Sequence, residues 1–190
     1  LLLPSIEFTA SAFEQKRQQK KTKPMNNFVK RTLSGIGFGI VMIAAFLCNR
    51  YVFGAVMLFA LIVMMWEFLR MTCGKEYRYS QILSILSGVI LFTLVYLYRG
   101  FNFPGRLVIL AFVPIFLLMV NSLYVKDKSR FDKFANLYTA IIYIAVPWSL
   151  LNFAVFSPEG EFNGMLLLCF FAIIWGSDVG AYCFGMAFGQ

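Results

Sequence analysis

YVFGAVMLFALIVMMWEFL, residues 51–69, decides the fold, because a single charged side chain, Glu67, interrupts an otherwise apolar stretch. At about 1.5 Å of rise per residue, a stretch of this length with its flanks crosses a hydrocarbon core of about 30 Å as an α-helix. Runs of the same kind lie on both sides of it, at Leu33–Cys48, Ile82–Tyr98, Leu107–Val125, Leu137–Phe156 and Met165 to about Phe188. The fold expected is all-α, a polytopic membrane helix bundle with about six transmembrane helices. Only Asn49 and Arg50 separate the short first run from the second. Those two are expected to form a tight helical hairpin that need not reach fully across.

Composition agrees with a bilayer as solvent. Hydrophobic residues make up 60% of the 190 and charged residues 14%, and the charges gather between the apolar runs. The net charge of +8 does not point to nucleic acid, since a basic groove needs a soluble face to carry it and these cations sit between hydrophobic segments. The chain has no histidine, and Cys48, Cys73, Cys169 and Cys183 form no CxxC pair. Zinc, haem and Ser-His chemistry therefore lack their ligands, and the cysteines read as small apolar packing residues. Residues 1–26, which include EQKRQQKKTK, carry no signal-peptide pattern. They read as a disordered basic tail or an upstream extension, with Met25 opening MNNFVKRTLSG as a natural start would. Residues 27–190 are assigned to the transmembrane bundle.

The connections fix an orientation. With successive segments assigned to alternate sides, fourteen Lys and Arg fall on one side: the tail through Arg31, then Arg70, Lys75 and Arg78, then Lys126, Lys128, Arg130 and Lys133. The other side holds three, Arg50, Arg99 and Arg106. The positive-inside rule puts the amino-terminus in the cytoplasm, with the sixth helix running inward. The same clusters also read as a device for adhering to the anionic cytoplasmic leaflet.

Two carboxylates lie within apolar runs, where an ionisable group is costly enough to mark function. Glu67 has an ordinary explanation, an ion pair with Arg70 one turn on. Asp178 has none nearby, because no Lys or Arg follows Lys133. Counted from Gly164, it lies roughly 20 Å along the sixth helix, a depth that a cytosolic phosphate-bearing solute reaches through a polar cavity. Around it, Tyr182, Gly185 and Gly189 share its stripe, while Gly176, Gly180 and Ala187 line the opposite one. Small residues at such spacing admit close neighbours, so this helix is expected to be buried on both sides. A lone Asp in a histidine-free bundle is compatible with a metal-nucleotide site, and equally with a proton or cation relay in a transporter subunit. The glycines of SGIGFGI, residues 34–40, read as membrane packing, since no strand precedes them.

The run W-x-x-D-x-G-A-Y-x-x-G-x-x-x-G, here Trp175, Asp178, Gly180, Ala181, Tyr182, Gly185 and Gly189, resembles the phosphatidate cytidylyltransferase (CDP-diacylglycerol synthase) family. KRTLSG before a helical hairpin and Glu67 in WEFLR agree, so the resemblance covers roughly Asn27 to Gln190. It implies a multi-pass enzyme of a bacterial-type inner membrane that condenses CTP with phosphatidate, releasing pyrophosphate and leaving CDP-diacylglycerol in the surrounding lipids. It further implies Mg²⁺ at Asp178, substrate contacts from Ser177 and Tyr182, and close helix packing at Gly180, Gly185 and Gly189. Met186 and Gln190 depart from basic residues common in relatives.

In the family the run continues into a Ser-Pro-Lys-Lys segment and a signature rich in Arg, Lys and Asp. By that measure the bundle is incomplete at its carboxy-terminal end, and these 190 residues alone are expected to be inactive. A structural bundle without activity is a third reading. The sequence leaves the oligomeric state open, a homodimer included.

Overall fold

The computed structural model describes residues 33–75, 77–124 and 131–188. The tail expected over residues 1–26 lies outside them. Two compact units divide the chain, residues 1–42 and residues 43–190. In the first, residues 33–42 are described and helical, forming part of α1 (Leu33–Leu47). The second holds α2 (Arg50–Cys73), α3 (Arg78–Phe101), a 3₁₀ segment (Gly105–Ala111) leading into α4 (Phe112–Leu123), α5 (Phe131–Ala140), a π-helical stretch (Ile141–Ala145), α6 (Val146–Val155) and α7 (Met165–Phe188). Among the described residues, five stretches are long and apolar enough to cross a membrane, and α1 is shorter. The expected all-helical membrane fold is the observed one, and α1 runs about 22 Å.

Packing in the second unit is organised around α3, which contacts α2, α4, α5, the π stretch and α6. On α2 the buried residues Phe53, Met57, Leu61, Met65, Leu69 and Cys73 recur every fourth position, a single stripe. On α3 the buried set includes Ser80, Ser84, Ser87 and Gly88. These small residues let the backbones approach: a Cβ on Gly88 would strike Met65 Sδ and stand 3.0 Å from Ala145 Cβ. The buried hydroxyls are all engaged, as they must be where water is absent. Ser84 donates to the Leu137 carbonyl at 2.9 Å, Ser87 donates to the Leu83 carbonyl at 2.8 Å, and Ser80 accepts from the Asn121 amide at 2.6 Å.

The π stretch has a local cause. Pro147, at the start of α6, offers no N–H to the carbonyl one turn earlier, and its ring crowds that carbonyl. A wider turn just before it removes the conflict without breaking the span. Trp148 then reaches α2, its indole N–H donating to the Met57 carbonyl at 2.9 Å.

At the end of the bundle formed by the start of α2 and the end of α3, two of the three cations on the sparse side are held by the fold. Arg50 donates to the Gly100 carbonyl at 3.1 Å and lies 5.6 Å from the Phe101 ring centre. Arg99 donates to the Phe156 carbonyl at 2.7 Å and lies 4.8 Å from the Phe153 ring centre. The connection to α7 closes by an antiparallel bridge between Phe156 and Phe162, and the Asn163 side chain caps α7 by accepting from the Met165 N–H at 3.0 Å.

At the opposite end, α2 stops at Gly74, whose φ of 65° and ψ of −134° suit a residue without a Cβ. Gly74→Ala is expected to destabilise the chain by about 1–2 kcal/mol, read as a lower melting temperature in detergent. A Cβ there meets nothing within 4 Å, so unchanged stability would show that the turn relaxes freely.

Candidate functional site

α7 begins at Met165 and is apolar until Trp175, so its first half is set by burial in lipid and against the bundle. Leu167 is buried, and Phe171 faces Phe46 with ring centres 5.9 Å apart. Beyond this base the helix leaves the packed part of the unit. From Ala172 to Gly185 each residue is exposed except Gly180, which is half-buried.

The residues singled out in the sequence lie on this outer half. Ser177 and Asp178 are adjacent and exposed, and Tyr182, one turn on, is 50% exposed. Helical geometry puts Asp178, Tyr182 and Gly185 on one stripe, as their spacing predicts. Gly189 lies outside the described residues.

Burial of α7 on both sides is not met within the described chain. A Cβ added to Gly176, Gly180 or Gly185 would meet nothing within 4 Å. The physical reason is that no described helix runs beside this half of α7. Its small-residue stripes remain available to a partner surface.

The donor set around Asp178 is sparse. Among the described residues, no three His, Cys, Asp or Glu side chains come together in a way that could hold a metal ion. Mg²⁺ is commonly held through one or two carboxylates with substrate phosphates and water completing its octahedron. A single carboxylate beside a hydroxyl is thus a fitting protein share for a metal that arrives with a nucleotide, and an insufficient share for a resident one.

The sequence shows Arg70 as a partner for Glu67, and Arg70, Lys75 and Arg78 as part of the basic, leaflet-facing side, but not as one site. The structure brings them together with Gln81 and Trp66 around one cleft of about 350 Å³ between the ends of α2 and α3. The signal was their spacing across Gly74, which marks a turn.

Five apolar spans among the described residues, with a carboxylate far along the last, define a multi-pass membrane protein. The chain belongs to the cytidylyltransferase family, whose profile matches residues 29–190 and so includes every apolar run and Asp178. No curated protein and no solved structure matches it. Membership supports a nucleotidyltransferase that uses CTP rather than a transporter subunit.

Proposed function

We propose that the protein transfers the cytidylyl group of CTP to phosphatidate, forming CDP-diacylglycerol in phospholipid synthesis. A phosphate oxygen of the lipid attacks the α-phosphorus of CTP, the bond from that phosphorus to the bridging oxygen breaks, and pyrophosphate leaves. The observation that carries this reading is Asp178 itself, a carboxylate in an apolar span with no Lys or Arg between Lys133 and Gln190, within the region matched to the family. A lipid acceptor suits an apolar helix long enough to cross the membrane, and a nucleotide suits the basic, cytoplasmic side that the charge asymmetry assigns.

In this reading Asp178 supplies a fixed negative oxygen at the phosphates, which are themselves negative, so a cation must stand between them. Mg²⁺ held by Asp178 and the phosphates would neutralise charge on the transferring group. Ser177 and Tyr182 donate hydroxyl hydrogen bonds to phosphate oxygens and orient the α-phosphorus. The apolar wall of α7 holds the acyl chains and keeps the acceptor phosphate at the edge of the hydrocarbon.

The test is an assay of membranes containing the protein expressed from its complete reading frame, supplied with labelled CTP and phosphatidate. CDP-diacylglycerol and pyrophosphate are expected in equal amounts, and omission of phosphatidate is expected to abolish both. CTP consumption that continues without it, or with another acceptor in its place, would overturn the assignment of the lipid.

A further inference from the structure

The cleft between the ends of α2 and α3 is not used by the proposed reaction, and its chemistry is specific. Arg70 lies in the last turn of α2, Lys75 in the turn that follows, and Arg78 at the start of α3. The positive φ values of Gly74 (65°) and Tyr77 (55°) reverse the chain, so that all three cations line one cleft of about 350 Å³, within the ~300–1,000 Å³ span of small-molecule sites. Gln81 fixes the reversal by donating its side-chain amide to the Gly74 carbonyl at 3.1 Å. Among the described residues no carboxylate pairs with Arg70, Lys75 or Arg78. The ion pair expected between Glu67 and Arg70 is not made, since Glu67 is exposed on α2 and does not line the cleft; Glu76 lies outside the described residues.

The other wall is apolar. Trp66 and Ile82 line the cleft and are 51% and 55% exposed, on helices long and apolar enough to cross the membrane. Cations therefore crown the helix ends, while an exposed apolar surface continues from them toward the hydrocarbon. A soluble anion would use only the first of these features. An amphiphile with a phosphate head and acyl tails uses both.

We propose that this cleft binds an anionic phospholipid, its phosphate among Arg70, Lys75 and Arg78 and its acyl chains along Trp66 and Ile82. The assignment does not depend on the transfer reaction. Occupancy of this cleft would also tie the α2–α3 end to the anionic leaflet, adding a defined site to the general attraction of basic connections for that surface.

Trp66 provides the reporter. The protein is reconstituted into phosphatidylcholine nanodiscs containing a small fraction of dibrominated phosphatidylglycerol, with dibrominated phosphatidylcholine at the same fraction as reference. Phosphatidylglycerol is chosen because it is not the proposed acceptor, so failure here leaves the transferase reading standing. Trp148 and Trp175 contribute a background common to every arm.

Stronger quenching by the anionic lipid is expected. In the variant R70Q/K75Q/R78Q the fraction of anionic lipid giving half the effect is expected to rise more than about tenfold, since each cation at an anionic surface is worth about fivefold. Removing the same number of charges at Lys126, Lys128 and Arg130 is expected to leave quenching unchanged. Equal quenching by the two brominated lipids, or equal loss in both variants, would overturn the site. Displacement of the brominated anionic lipid by millimolar inorganic phosphate would overturn the lipid as its occupant.

Discussion

Replacing Asp178 with Asn is expected to lower CTP-dependent transfer by about 10²–10³-fold in the protein expressed from its complete reading frame, with little change in its amount or helical content. The magnitude is that of removing one well-placed electrostatic group from a reacting centre. Asn keeps the shape of the side chain and loses the charge, so it cannot offer a full negative oxygen to a cation at the phosphates. Stability should hardly move, because Asp178 is exposed and no packing is lost with its charge. The two expectations together separate chemistry from folding. Asp178→Glu, which restores the charge one methylene further out, is expected to recover part of the activity and to depend more steeply on Mg²⁺ concentration. Transfer by Asp178→Asn within twofold of the unsubstituted protein would remove this carboxylate from the mechanism.

The fold was largely legible because lipid imposes one simple demand, a long apolar helix, and the sequence meets it openly. The run read as Tyr51–Leu69 lies inside α2, Arg50–Cys73, and the run read from Met165 to about Phe188 coincides with α7. The features that escaped reading are those in which a residue acts through a neighbour distant in sequence. Ser84 and Ser87 look like mild interruptions of the run Ile82–Tyr98, yet with Ser80 they lie on the buried face of α3 and let other helices approach it. Pro147 announces some local change, but a π stretch before it can be recognised only when α6 is seen to continue the same span.

The site was legible in residue type and face, and not in surroundings. The spacing of Asp178, Tyr182 and Gly185 fixes a stripe whatever else the chain does, because the helical repeat alone determines it. What covers that stripe depends on a second surface, and small residues reveal only that an approach is sterically allowed. Gly176, Gly180 and Gly185 were expected to be covered, and within the described residues they are open. The basic cleft failed to appear for a related reason: Arg70 and Arg78 belong to different helices, and only the reversal at Gly74 and Tyr77 joins them.

The other large effect is expected at Gly164, where a single methyl group decides whether α7 stays anchored. Gly164 is buried, and a Cβ built on it would overlap the Phe46 carbonyl oxygen, with the Phe46 carbonyl carbon at 2.9 Å and Cα at 3.0 Å. The obstacle is backbone of α1, which cannot swing aside as a side chain does. At Gly54, by contrast, an added Cβ meets the Tyr96 ring at 2.8–2.9 Å, a side chain with some freedom to turn. Gly164→Ala should therefore force apart the α1 and α7 backbones, weaken the Phe46–Phe171 contact and cost about 2–4 kcal/mol, at the upper end for overpacking. Gly176→Ala is the matched control: its Cβ enters open space, and the better helix propensity of Ala favours stability by up to about 1 kcal/mol. Unfolding both variants by denaturant titration in detergent measures the difference directly. If Gly164→Ala proved as stable as Gly176→Ala, the α1 backbone would have to yield where the close approach says it cannot, and the anchoring of α7 would need another basis.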